Sequence, residues 1–153
     1  MSKRVVRVAR LIIWRGERLL VQEDERLAPD DQFLRMPGGR IEPDEAPART
    51  AAREFAEETG IEAIVGLPLY IGEAHFRRRG RALHEIAVYF GARIDAAAPL
   101  PATPRDGEHV RTFELSRDDV LVRPRLPERL FDAVLEDGPA GPATLRYVVD
   151  GEP

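Results

Sequence analysis

Apolar and β-branched residues fill positions 5–14, a turn of Arg15, Gly16 and Glu17 follows, and RLLVQ returns over 18–22. That pattern predicts a β-hairpin. Residues 23–31 are polar and read as a loop, and 33–36 predict a short strand stopped by Pro37, Gly38 and Gly39. Two further strands are predicted over 63–73 and 83–94, joined by a basic segment over 75–81 and paired as a second hairpin. A proline-bearing surface loop covers 95–109, a strand 110–115, and Ser116 reads as a helix cap. Leu130, Phe131, Val134 and Leu135 recur at helical spacing within 127–137, a helix opened by Pro127, and 143–149 suit a last strand. No internal repeat or low-complexity tract is visible.

The remaining helix lies between the hairpins. Asp44 is placed to cap it, Pro47 suits its first turn, and Gly60 is placed to end it in a left-handed conformation, which gives about four turns. At about 100° per residue Ala48, Ala52 and Phe55 share one face. Glu54, Glu57 and Glu58 gather roughly opposite. The carboxyl end of a helix is already negative, so each carboxylate there costs roughly 0.3–1 kcal/mol, and the carboxylates repel one another. Something positive must offset that. Glu45 brings a fourth carboxylate to the helix entrance, and the Pro-Gly-Gly turn lets main chain come close to a ligand. Such an oxygen cluster suits Mg²⁺, which takes one or two carboxylates plus substrate phosphate oxygens. The competing meaning is a solvated face on which Arg53 pairs with Glu57.

Composition narrows the chemistry. The chain has 153 residues, 43% hydrophobic and 33% charged, with a formal charge of −4. Those values fit one globular domain over 1–153 and imply no affinity for nucleic acid. Without cysteine, any metal must be held by oxygen or by the three histidines, which makes Mg²⁺ or Mn²⁺ the default. No stretch of about 18 uncharged apolar residues occurs, and the start lacks a signal-peptide pattern, so a cytoplasmic protein without a membrane anchor is expected.

The spacing of Gly39, Glu45, Arg53, Glu54, Phe55, Glu57, Glu58, Gly60 and Ile61 matches every defined position of the Nudix box. The chain therefore resembles the Nudix hydrolases, and the order of elements fits that family's α/β/α sandwich with a mixed β-sheet. The resemblance implies Mg²⁺- or Mn²⁺-dependent hydrolysis of a nucleoside diphosphate linked to another group, with a small nucleotide as substrate and room for a homodimer. It makes Glu54 the catalytic carboxylate, as base or metal ligand. Glu57, Glu58 and the carbonyl of Gly38 become metal ligands, and Arg53 orients a neighbouring glutamate. The chemistry agrees: a diphosphate repels hydroxide, so hydrolysis needs cations on its oxygens and a carboxylate to position or deprotonate water.

Outside the box the signals are thinner. Arg35 is a fork-shaped donor that could hold a phosphate, although strand alternation could equally turn it to solvent. Glu85 is flanked by apolar residues on a central strand, where an isolated carboxylate is costly unless paired or metal-bound. Glu108 follows the proline-bearing loop, where some relatives place a further glutamate. The run of arginines and glycine over 77–81 reads first as a charged hairpin tip. His75, His84 and His109 sit in no motif and are expected to be structural. A base-stacking aromatic could be Trp14, Phe33, Phe76 or Tyr89. The marks of the ADP-ribose and diadenosine-polyphosphate branches are missing from FRRRG. A nucleoside triphosphate, a nucleotide sugar or a similar derivative remains, and a non-catalytic nucleotide-sensing module is the alternative from another class.

Overall fold

The structure is a computed structural model and describes residues 4–78 and 80–152. Its centre is β1, Arg4–Arg15, which runs parallel to β5, Arg81–Arg93, over ten residue pairs from Arg4↔Leu83 to Ile13↔Ala92. Side chains alternate along β1, so Val8 and Ile12 enter one core while Ala9, Leu11 and Ile13 enter another. The sheet is thus covered on both faces. β2, Arg18–Asp24, closes the first hairpin at Trp14↔Leu19 and Arg15↔Arg18, then leaves β1 to pair with β6, Val110–Ser116.

On the other side β4, Ile64–Arg78, pairs antiparallel with β5, and β7, Arg146–Asp150, lies parallel to β4 at the edge. The seven strands run β6-β2-β1-β5-β4-β7, with β3, Gly38–Arg40, added antiparallel to β1. Helix α1, Pro47–Thr59, places Ala51 and Phe55 on the Ala9, Leu11 and Ile13 side. Helix α3, Glu128–Asp137, places Leu130, Phe131, Val134 and Leu135 on the opposite side with Tyr70 and Tyr89. This is the expected α/β/α arrangement around a mixed sheet. Ser116 caps the short α2, Arg117–Leu121, by accepting from the Asp119 amide, as expected of it. Among the described residues no helix is long and apolar enough to cross a membrane.

Four local expectations need correction. Residues 33–36 make only isolated bridges, Leu34 to Arg125 and Arg35 to Gln22, and the strand instead begins at Gly38, inside the glycine pair taken for its stop. Extended main chain without a Cβ is what lets this segment lie so close against β1. Asp44 does not cap α1: the N-cap is Ala46 with no side-chain bond, and Pro47 opens the helix without needing an amide partner. The packed stripe of α1 runs through Ala51 and Phe55, leaving Ala52 half-buried. Finally, residues 75–78 belong to β4 itself, because the cross-strand pairs continue to Arg78↔Arg81.

Phe55 is fully buried and ties α1 to the sheet. Phe55→Ala is expected to lower unfolding free energy by about 3–5 kcal/mol. Urea denaturation followed by circular dichroism measures it.

Candidate active site

The Gly38–Gly39 step brings main chain and carboxylate together. Gly38 has φ 145°, and a side chain there would strike the carbonyl oxygen of Ala9 on β1. A methyl group on Gly39 would sit 2.5 Å from Cδ of Glu54, so only glycine lets that carboxylate lie against the strand. The ladder bonds to β1 flank this point: Leu11 donates to the carbonyl of Pro37, and Ile41 donates to the carbonyl of Arg7. Alternation along β3 then turns the Gly38 carbonyl off the ladder and leaves it available to a ligand.

Arg53 organises the acidic face of α1. Its Nε and Nη2 donate to both oxygens of Glu45 at 2.9 and 3.0 Å, and Nη1 donates to Glu54 and Glu57, each at 3.2 Å. Arg53 and the Thr50 hydroxyl together hold the Glu45 carboxyl down to a pKa of about 2. Arg105, from the loop before β6, donates to the carbonyls of Ala56 and Glu57 at 2.9 and 3.1 Å. A cation thus sits on the negative end of the helix, as its dipole requires.

The three helix glutamates differ in environment. Glu57 is about half exposed, Glu54 is partly covered, and Glu58 is buried at 5% exposure. The competing reading of a solvated face does not hold for Glu58, which is buried although it shares the helix face of Glu54 and Glu57. Burial pushes the Glu58 carboxyl up to about 7, against the downward pull of Gln22 and Arg35, and burial also raises Glu54. Gln22 donates from Nε2 both to Glu58 and, at 3.0 Å, to the Thr112 hydroxyl.

Glu54 and Glu58 line a cleft of about 370 Å³ with Gly38, Gly39, Arg10, Arg35, Arg78, Glu85 and Glu108. A smaller compartment of about 150 Å³ continues from it, sharing Arg10, Arg35, Phe76, Arg78 and Glu85 and adding Phe33, Leu126 and Pro127. Arg35 and Glu85 therefore both face the cleft. The Nε atom of Arg35 is buried without a partner, and burial followed by repulsion from Arg10 lowers its pKa to about 10. Arg78, exposed, also borders both compartments, while Arg79 lies outside the described residues. Glu45 and Glu57 are not among the residues that line the cleft, and both are bonded to Arg53 beside Glu54.

Of the aromatic candidates, Phe33 and Phe76 border the smaller compartment. Tyr89 is fully buried in the core, and Trp14 borders a different cavity beside Leu69 and Tyr70, so neither can stack on a base here. Arg10 and Gln22 were missed. Each is a polar residue in phase with the inward positions of an apolar strand, Arg10 with Val8 and Ile12, and Gln22 with Leu20; that phase was the available signal. Arg10 is 9% exposed and donates to the carbonyl of Met36 at 2.9 Å.

The family model described as the NUDIX domain matches residues 3–135. The chain belongs to the NUDIX family. It is 35% identical over 83 residues to the CTP pyrophosphohydrolase of Escherichia coli (strain K12), covering 53% of this chain and 58% of that protein. It is 26% identical over 116 residues to the RNA pyrophosphohydrolase of Brucella anthropi, covering 67% of this chain and 64% of that one. The chain therefore spans less than two thirds of the length of either curated relative. Among solved NUDIX-type structures, the MutT protein of Methanosarcina mazei Go1 superposes with a TM-score of 0.62 at 26% identity, covering 86% of this chain and 91% of that one. The MutT protein from Bacillus halodurans superposes at 0.67 and 23% identity, covering 93% and 86%, a likeness of fold. Strand β7 lies beyond the matched residues yet completes the same sheet.

Folding raises the Glu58 pKa from 4.5 to about 7, so across that interval the folded chain keeps a proton that the unfolded chain has released. Stability of the metal-free protein should then fall as pH rises from about 4.5 to 7, by roughly 3 kcal/mol relative to Glu58→Gln. Parallel urea titrations of the two proteins at several pH values test this, and parallel pH profiles would remove the assignment.

Proposed function

We propose that this NUDIX chain hydrolyses a diphosphate bond within a nucleotide, with a nucleoside triphosphate as the favoured substrate and Mg²⁺ or Mn²⁺ as cofactor. The observation that carries this is one cleft lined by Glu54 and Glu58 together with Gly38, Gly39, Arg10, Arg35 and Arg78. The two curated relatives, a CTP pyrophosphohydrolase and an RNA pyrophosphohydrolase, support a triphosphate over a nucleotide sugar.

The donor set fits a hard divalent cation: all oxygen, with a desolvated Glu58 whose burial favours the proton unless a cation replaces it. Glu58 and the Gly38 carbonyl, which line the cleft, would hold it together with Glu57 from the exposed side of α1, with Glu54 as a further ligand or as the base. When bound it supplies positive charge to the oxygens of the substrate diphosphate. Arg35 and Arg10 bind phosphate oxygens within the same cleft, and the orphaned Nε of Arg35 gains a partner when they do. Glu54 takes the proton of the attacking water. Burial raises its proton affinity toward that role, while Arg53 fixes its orientation. Phe33 and Phe76 offer an apolar wall for the base beyond the phosphates.

A nucleotide-sensing module without turnover is the other reading. It is disfavoured because Glu54, the carboxylate such a module needs least, is the one against which the glycine strand is fitted.

Glu54→Gln is expected to lower kcat at least about a hundredfold with an unchanged circular dichroism spectrum. A near-normal rate would take Glu54 out of the chemistry. With a panel including nucleoside triphosphates, nucleotide sugars and 5′-triphosphorylated RNA, a triphosphate should yield monophosphate and pyrophosphate. Orthophosphate as first product would overturn the proposed site of cleavage.

A further inference from the structure

Strands β4 and β5 carry a second cluster of metal-ligating side chains that the box chemistry does not use. Cross-strand register sets His75 opposite His84 and Glu73 opposite Ile86, on the face away from Phe76, Leu83 and Glu85. The two imidazoles stack with centroids 4.2 Å apart and planes 19° from parallel, so both present their Nε2 atoms at the same edge. Each Nε2 meets the same oxygen of Glu73, at 3.1 Å from His75 and 2.9 Å from His84. One ligand atom from each of the three residues lies within 4.8 Å of the others. The second oxygen of Glu73 accepts from the hydroxyl of Tyr147 on β7.

We propose that Glu73, His75 and His84 bind a transition-metal ion of the zinc class, separate from the box cation. With metal–ligand bonds of about 2.0–2.1 Å, tetrahedral coordination sets ligand atoms about 3.3 Å apart. The two nitrogen–oxygen separations are already within a few tenths of an ångström of that. Imidazole nitrogen suits zinc, nickel or copper and does not suit Mg²⁺, so the two sites select different ions. Three protein ligands leave a fourth position for water. Tyr147 plays the outer-shell part: its hydroxyl fixes the carboxylate by the oxygen that the ion does not take. The ligands come from both strands of the hairpin, so the ion cross-links β4 to β5 behind the wall that bears Phe76 and Glu85.

Zinc titrated by calorimetry into the metal-free chain, in buffer with millimolar Mg²⁺ to occupy the box, tests the assignment. One zinc site should appear in the wild type. It should disappear in His84→Ala and in Glu73→Gln, weaken about ten- to a hundredfold in Tyr147→Phe, and persist in a Glu57→Gln, Glu58→Gln double variant. Zinc should also raise the melting temperature of the wild type and not that of His84→Ala. Should His84→Ala fail to fold, the Tyr147→Phe isotherm decides. Zinc affinity unchanged in the folded variants, or lost only in the box double variant, would overturn the proposal.

Discussion

Negative charge at the wrong end of a helix is the constraint around which this molecule is arranged. Three carboxylates crowd the last turn and a half of α1, and a fourth reaches in from its entrance. Arg53 answers with a guanidinium shared among Glu45, Glu54 and Glu57, and Arg105 answers by donating to the terminal carbonyls. Glu58 receives neither. It is left to burial, a glutamine amide and the more distant charge of Arg35, and its raised proton affinity records how incomplete that compensation is. The helix is therefore stable enough to fold and still short of positive charge at one point. That is the electrostatic condition for a cation site.

The glycine pair converts this helix property into a site. Placed on a strand that pairs with β1, Gly38 and Gly39 let main chain and carboxylate approach to a distance any side chain would forbid. β1 in turn carries Arg10 into the same cleft beside Gly38, so one central strand positions both the glycine step and an arginine of the site.

Much of this was legible in the sequence because its causes are local. The box spacing is a helix period written in charges, Pro47 and Gly60 mark the helix ends through main-chain geometry, and strand pattern predicted both hairpins. What escaped depended on contacts distant along the chain. Arg105 lies 49 residues from the carbonyl of Ala56 it binds, in a loop with no periodicity to read. Glu58 is buried against Gln22 of β2, 36 residues away, a contact that helical spacing alone does not reveal. Asp44 failed as a cap because Ala46 and Pro47 start the helix through a preset φ, so no side-chain acceptor was required. His75 and His84 carried no motif because what joins them is a pairing register nine residues across a hairpin.

That register also limits how the hairpin can change over evolutionary time. Because neighbouring residues on β5 point to opposite faces, His84 and Glu85 serve two different surfaces from adjacent positions. Point substitutions can retune either surface alone. An insertion or deletion of one residue within the strand would exchange them wholesale, presenting an imidazole to the arginine-lined cleft and a lone carboxylate to the outer face. A change of length within the paired segment therefore alters both surfaces at once, whereas a change of composition need not.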